Sequence, residues 1–173
     1  TLNAATKVAE FQMSVDQEAS EADRFIEYLR SSIAMGAAHL ANKYGTCPDA
    51  PSTWGWKTTG TPDNEVTYGQ GTKIGWIVGK EIYLDMKAAL SVIKTFSTRL
   101  GNHLGSSELA IKKALFEAGM LEKEGEGRYT KKVSVEGRRE NVTCIQVSLL
   151  MDIEEIEREP SEDDEPLEEN LPF

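Results

Sequence analysis

The chain has 173 residues, of which 39% are hydrophobic, so it can bury one or two modest cores. No apolar run approaches the ~20 residues of a membrane-spanning helix and no signal peptide opens the sequence, so a cytoplasmic protein without membrane contact is expected. The formal net charge of −10 belongs to the C-terminal tail, because from Asp152 onward eleven acidic residues accompany a single arginine. The rest of the chain is neutral, which leaves a nucleic-acid partner open.

Residues 20–44 carry apolar side chains at helical spacing, among them Phe25, Ile33 and Leu40. This pattern predicts one amphipathic helix that ends near Tyr44-Gly45. The next segment, residues 45–72, is rich in Gly, Pro, Thr and Asp. It predicts a loop-rich connection without regular elements, in which the tryptophans serve as packing anchors.

A tight hairpin is predicted next, because two apolar stretches at residues 74–77 and 82–84 flank Gly79. Asp85 is placed to cap the helix that follows. The apolar face of that helix is formed by Ala88, Ala89, Val92, Ile93 and Phe96.

A second helix is predicted after a short break, with Ser106 or Ser107 as its N-cap and Gly119 as its C-terminal left-handed residue. Its inner face is assigned to Ile111, Ala114, Leu115 and Ala118. Two extended stretches with alternating polarity come next, the first from Tyr129 and the second from Asn141 to about Leu149, and they are joined by a turn at Glu136-Gly137-Arg138.

The order helix, turn, helix and two-stranded ribbon is that of a winged helix-turn-helix. We therefore predict an α+β chain with three parts. Residues 1–72 form a helical segment with a Trp-containing loop, residues 73–150 form the winged helix, and residues 151–173 form a disordered acidic tail. The chain begins at Thr1 rather than Met, so we expect it to be part of a longer protein.

Polar and basic residues of the second helix and of the wing are the candidate DNA contacts. Cations on a ribbon reach phosphates, and polar residues near the start of a recognition helix reach base edges. The alternative is a solvated ribbon on a winged helix that docks on protein. The candidate DNA-binding residues are Ser106, Ser107, Lys112, Lys113, Arg128, Lys131, Lys132, Arg138 and Arg139.

The acidic tail closes on Leu171, Pro172 and Phe173. An acidic run with this ending resembles the C-terminal tip of bacterial single-stranded-DNA-binding proteins. That resemblance implies a docking peptide for replisome proteins, and a plain solubilising tail is the alternative.

Catalytic and cofactor motifs are not expected. The Gly-rich stretch from Gly75 to Lys80 has three residues between its glycines where a phosphate loop needs four, and Glu81 stands where that loop needs Ser or Thr. Cys47 and Cys144 lack metal-ligand spacing, so no metal site is predicted. The sequence also offers no nucleophile paired with a base.

Several short landmarks resemble one family. They are Trp54-Gly55-Trp56-Lys57, Ile74-Gly75-Trp76-Ile77, Ile82-Tyr83-Leu84-Asp85, Leu115-Phe116-Glu117-Ala118-Gly119, Gly127-Arg128-Tyr129-Thr130 and Gly137-Arg138-Arg139. Together they are similar to the C-terminal part of Cch-type, MCM-like replicative helicases of bacterial mobile elements and prophages. Met86 departs from the pattern, since a Pro is expected there.

The resemblance implies an upstream AAA+ motor that uses ATP and magnesium, a ring oligomer of the full-length protein, and DNA as a partner. This chain would itself be a non-catalytic DNA-binding domain of the helicase. A protein-interaction winged helix that acts in replisome or subunit assembly is the second hypothesis. A stand-alone transcriptional regulator is the third, and it lacks support because no heptad pattern for dimerisation is present in residues 1–72.

Overall fold

The computed structural model describes residues 21–101, 104–122 and 128–151. They form a mixed α+β structure. The first helix, α1, is described over 21–34; the later helices are α2 (Met86–Arg99) and α3 (Glu108–Glu117). The strands are β1 (Ala38–Asn42), β2 (Trp56–Thr61), β3 (Asn64–Gly69), β4 (Thr72–Val78), β5 (Glu81–Leu84), β6 (Lys131–Val135) and β7 (Arg138–Gln146).

A five-stranded sheet organises the described residues, with strand order β1-β4-β5-β7-β6. Only the β1–β4 pair is parallel, and the other three pairs are antiparallel. The register of β1 against β4 shifts between His39 and Leu40, so that Ile74 is an extra residue in β4. Such a bulge bends the strand and increases the local twist.

The main core lies on one side of the sheet. Side chains of α1, α2 and α3 pack there against the sheet; the largest fully buried ones are Phe25, Leu29, Ile33, Leu40, Ile74, Ile82, Leu84, Ile93, Ile111, Leu115 and Ile145. A smaller cluster of Ala41, Trp76, Val135 and Val142 is separate from this core. The two clusters leave few apolar residues of the sheet exposed to water.

Several predicted elements are confirmed. β4 and β5 form the predicted hairpin, and the Asp85 carboxylate caps α2 by accepting from the backbone N–H groups of Lys87 and Ala88. Ser107 is the N-cap of α3, and Gly119 has the left-handed φ of 71° expected after that helix. Ala118, which was assigned to the inner face of α3, is instead exposed at the helix C-cap.

The prediction of one helix through residues 20–44 was wrong in its second half. The helix ends at residue 34, and Ala38–Asn42 is a strand. Gly36, at φ 70°, explains the break. Its N–H bonds to the carbonyl of Ile33 while the next N–H bonds to Ser32, the pattern of a Schellman C-cap. Ala38, Leu40 and Ala41 are the buried residues of β1, and they do not alternate strictly. Their spacing also fits a helix, which hid the change to a strand.

The prediction of an irregular connection over 45–72 was also wrong. Trp56–Thr61 and Asn64–Gly69 form an antiparallel hairpin. Most of its side chains are exposed, so it lacks the alternation of polar and apolar residues that reveals a strand in sequence. The Trp56 indole N–H donates to the carbonyl of Leu40 at 2.7 Å and fixes the base of this hairpin to β1.

The predicted boundary between residues 72 and 73 falls at the start of β4, whose parallel partner β1 lies before it. Buried residues from both sides of that boundary belong to the same core cluster. The predicted tail lies outside the described residues. Within the described part of the chain, no helix combines the length and apolar character needed to cross a membrane.

Candidate nucleic-acid interface

The β6–β7 hairpin carries most of the exposed candidate DNA contacts. Its turn is formed by Glu136 and Gly137, which both have positive φ angles, 51° and 73°. Two positive φ angles are the geometry of a type I′ turn, which matches the twist of the strands it joins. Four cations on or beside the hairpin are exposed and make no ion pair with a described residue: Arg128, Lys132, Arg138 and Arg139.

The pairing of the two strands sets the directions of these cations. Lys132 lies opposite Asn141, and Ser134 lies opposite Arg139. Because opposite residues share a face and the period of a strand is two, Lys132 and Arg139 point to the same outward face. Arg138 lies opposite Val135, on the other face at the turn. The outward face is therefore cationic and polar.

Lys131 differs from its neighbours. It is half-buried, and its ammonium lies 5.9 Å from the centre of the Tyr83 ring. This position is on the face of the hairpin opposite to Lys132. The structure therefore separates Lys131 from the outward cations with which the sequence grouped it.

The tip of the hairpin is fixed to the opposite side of the sheet. The carboxylate of Glu136 accepts hydrogen bonds from the ammonium of Lys73 and from the indole N–H of Trp76, both in β4. The backbone N–H of Glu136 also donates to the carbonyl of Lys43, just after β1, at 2.9 Å. The bond from Lys73, and after it that from Trp76, lowers the pKa of Glu136. The tip of the hairpin is thus attached to β4 and to the residue that follows β1.

The predicted contacts on α3 are placed less favourably for DNA. The side chain of Lys112 is 11% exposed and forms an ion pair with Glu108, one turn earlier. Lys113 is exposed and pairs with Glu117 at 3.4 Å. Ser107 uses its hydroxyl to accept from the N–H of Ala110. Ser106 is half-buried just before this cap.

The outward face of α3 is partly apolar. Leu109 is 66% exposed and Phe116 is 37% exposed. These two residues and Lys113 recur at positions i, i+4 and i+7, which lie on one face of a helix. The Phe116 ring packs at 5.6 Å from that of Tyr129. Two exposed apolar side chains on one helix face are more typical of a protein contact than of a helix in a DNA groove.

A cavity of about 1010 Å³ opens between the start of α2, the start of α3 and the β6–β7 hairpin. Its charged lining consists of the cations Lys87, Lys112, Arg128 and Lys132 and the carboxylates Asp85, Glu108 and Glu140. Lys87 and Glu140 were not singled out from sequence. They carry no local motif, and only the fold brings them beside Arg128.

Thr143 also lies in the wall of this cavity. The residue is fully buried, and its hydroxyl oxygen has no hydrogen-bond partner among the described residues. A buried hydroxyl without a partner costs free energy, and a group bound in the cavity that accepts its hydrogen bond would remove that cost.

Glu81, Glu122 and Cys144 form a second polar cluster, with one potential ligand atom of each within 4.8 Å of the others. Glu81 accepts from the Tyr83 hydroxyl at 3.1 Å, and Glu122 accepts from the Gln146 amide at 2.9 Å. Burial, and then the charge and hydrogen bond of Glu81, raise the pKa of the Cys144 thiol to about 12. The thiol is therefore protonated at neutral pH and serves as a donor in this cluster.

The predicted docking residues Leu171, Pro172 and Phe173 lie outside the described residues. Comparison of the chain with protein-family models, with curated proteins and with solved structures finds no match.

Proposed function

We propose that this chain is a DNA-binding accessory domain of a DNA-replication helicase of a mobile element or phage, with residues 73–150 acting as a winged helix. The observation that carries the proposal is a group of four exposed cations that make no ion pair with a described residue, Arg128, Lys132, Arg138 and Arg139. Exposed arginines and lysines on a ribbon are suited to phosphate contacts. The element order supports a winged helix, since α2 and α3 precede the β6–β7 hairpin and β5 pairs with β7.

The proposed contact is centred on the hairpin rather than on α3. Lys132 and Arg139 share its outward face, and Arg138 lies at the turn beside them. The ion pairs of Lys112 and Lys113 reduce their value as phosphate contacts, because binding DNA would require each to exchange its carboxylate. Binding would accordingly be governed by backbone phosphates and would show little sequence preference.

The test is fluorescence anisotropy of a labelled DNA duplex over a series of salt concentrations. If four phosphates are neutralised, log K falls with log salt with a slope of about 3 to 4. The double variant R138Q/R139Q should reduce that slope by about 2. The matched control is K57Q/K94Q, which removes the same charge from two exposed lysines outside the hairpin. Equal losses in both variants, or no binding by the wild type at low salt, would contradict the proposal.

The acidic tail is the second element of the proposal. Its charge of −10 begins directly after residue 151, close in sequence to the hairpin, so its local concentration is of millimolar order. We expect it to compete with DNA phosphates for the hairpin cations until a replisome protein takes up Leu171, Pro172 and Phe173. Deletion of residues 160–173 should tighten DNA binding in the same assay. An unchanged affinity would show that the tail does not compete with DNA for the hairpin cations.

The alternative is a protein-interaction winged helix that acts in replisome or subunit assembly. The specific observation in its favour is the exposed pair Leu109 and Phe116 on α3. In that case L109Q should abolish partner binding while R138Q/R139Q leaves it intact. The motor with its ATP and magnesium, and the ring oligomer, belong to the full-length helicase in this proposal.

A further inference from the structure

The cavity between α2, α3 and the β6–β7 hairpin has charges that its own residues do not balance. Two of its carboxylates are engaged within the protein. Asp85 accepts from the N–H groups of Lys87 and Ala88 at 3.1 and 3.2 Å, and Glu108 pairs with Lys112. What remains is a set of three cations without an ion pair to a described residue, Lys87, Arg128 and Lys132, together with the carboxylate of Glu140. Hydrogen bonds from N–H groups do not cancel the charge of Asp85, so the lining of four cations and three carboxylates carries a surplus of one positive charge, which suits an anion.

A phosphate monoester is an anion whose oxygens can contact these cations. It carries a charge of about −1.5 to −2 at pH 7 and offers three acceptor oxygens. The unpartnered hydroxyl of Thr143 supplies one buried donor in the same wall, and the ammonium and guanidinium groups supply the others. A neutral ligand would leave the cations unpaired, and a cationic one would add to the repulsion.

The cavity is also much larger than a phosphate group. At about 1010 Å³ it lies at the upper end of the volumes of small-molecule sites. The buried Trp76 and Met86 contribute an apolar part of the wall. The ligand therefore has an organic body attached to its phosphate, as a nucleotide does.

The position of Lys132 connects the cavity to the outward face of the hairpin. This residue lines the cavity and also shares the outward face with Arg139. A nucleic-acid strand that ends at these cations would place its terminal nucleotide beside the cavity. We propose that the cavity binds the terminal nucleotide of such a strand through its phosphate monoester, with Lys87, Arg128 and Thr143 as the contacts within it. This inference rests on the proposed DNA binding and names the strand end as the ligand.

The experiment compares three labelled oligonucleotides of one sequence in anisotropy: one with a 5′-phosphate, one with a 3′-phosphate, and one with neither. A terminal phosphate at one of the two ends should raise the affinity of the full chain about tenfold. The variants K87Q and T143V should each reduce that gain and leave the affinity for the unphosphorylated strand unchanged. T143V keeps the β-branched shape in β7 and removes a hydroxyl that has no hydrogen-bond partner among the described residues, so we expect the variant to fold.

The matched control K94Q removes a lysine of α2 that lies outside the cavity and should keep the full gain. A deoxynucleoside monophosphate is titrated separately by NMR to distinguish the sources of the phosphate. One outcome is that the monophosphate binds with dependence on Lys87 and Thr143 while a terminal phosphate does not raise the affinity of the strands. In that case the cavity binds a phosphate monoester, but the ligand is a free nucleotide and the strand end is excluded. If neither probe depends on the two residues, the inference is overturned.

Failure of the proposed function gives a different result. In that case R138Q/R139Q leaves the binding of the unphosphorylated strand unchanged, or that strand does not bind at all. Failure of the cavity inference alone leaves the unphosphorylated strand bound with its dependence on Arg138 and Arg139, but without any gain from a terminal phosphate.

Discussion

Glu136, at the tip of the β6–β7 hairpin, accepts a hydrogen bond of 2.8 Å from the indole N–H of Trp76 in β4, sixty residues earlier in the chain. The same carboxylate contacts the ammonium of Lys73, which in turn lies 5.1 Å from the centre of the Trp76 ring. Glu136 adopts a φ of 51°, which a residue with a side chain rarely favours. The contacts with β4 explain why a glutamate stands at this turn instead of Asn or Gly.

The first prediction concerns this anchor. E136Q should lower the free energy of unfolding at pH 7 by about 0.5–1 kcal/mol, because the ion pair with Lys73 is partly exposed. The pKa of Glu136 is lowered in the folded state, so its contribution is complete above the usual value of 4.5 and is lost as pH falls through the folded pKa. The difference between wild type and E136Q in urea unfolding should therefore shrink below pH 4.5.

The control for this anchor is E65Q, which removes an exposed carboxylate from β3. It should not change the free energy of unfolding measurably at pH 7 or at pH 3. A loss in E136Q that persists unchanged at pH 3 would show that the side chain acts through packing and not through its charge.

Sequence patterns predicted the elements that are stabilised locally. Asp85 and Ser107 cap their helices as expected because a capping side chain bonds within three residues of itself. The β4–β5 hairpin is also local, since its strands are joined by two residues. These elements depend on short-range chemistry that the sequence displays directly.

Sequence patterns could not predict the elements that depend on distant partners. β1 is a strand because it pairs with β4, and its burial pattern fits a helix equally well. The candidate site shows the same division. The hairpin cations were found from their clustering, while the burial of Lys112 and the cavity partners Lys87 and Thr143 follow from packing between elements far apart in sequence.

The second prediction compares two glycines with similar backbone angles, Gly71 at φ 60° and Gly79 at φ 63°. A Cβ at Gly71 would lie 2.1 Å from the carbonyl oxygen of Ala37, whereas a Cβ at Gly79 would meet nothing within 4 Å. G79A should cost about 1 kcal/mol through its backbone angle alone. G71A should cost at least about 2 kcal/mol more, because it also displaces the start of β4 from β1.

Guanidinium unfolding monitored by tryptophan fluorescence measures both glycine variants on the same scale. Equal losses would mean that the chain near Ala37 relaxes freely, and the close approach between Gly71 and Ala37 would then carry no stability.

The third prediction concerns the two free cysteines, Cys47 and Cys144. Burial and neighbouring carboxylates raise the pKa of Cys144 to about 12, so at pH 8 only about one thiol in 10,000 is ionised. Cys47 is half-buried, and its pKa is raised by burial and by Asp49. Iodoacetamide at pH 8 should label Cys47 slowly and Cys144 not at all until denaturant unfolds the sheet.

Mass spectrometry of tryptic peptides assigns each label. Rapid labelling of Cys144 in the native protein would contradict this prediction. It would indicate that the cluster of Glu81, Glu122 and Cys144 opens readily, although β7, which contains Cys144, is paired with β5.

The last prediction separates a structural lysine from the proposed DNA contacts. Lys112 is nearly buried and paired with Glu108, so K112M leaves that carboxylate without its partner beside the cavity. We expect it to lower the free energy of unfolding by about 1–2 kcal/mol. The double variant E108Q/K112M should recover most of this loss, because no charge then remains unpaired. In R138Q/R139Q the opposite pattern is expected, with stability unchanged and DNA affinity reduced. Thermal unfolding and DNA anisotropy on the same samples measure the stability and the DNA affinity of each variant. A K112M variant that is fully stable but defective in DNA binding would show that Lys112 contacts DNA.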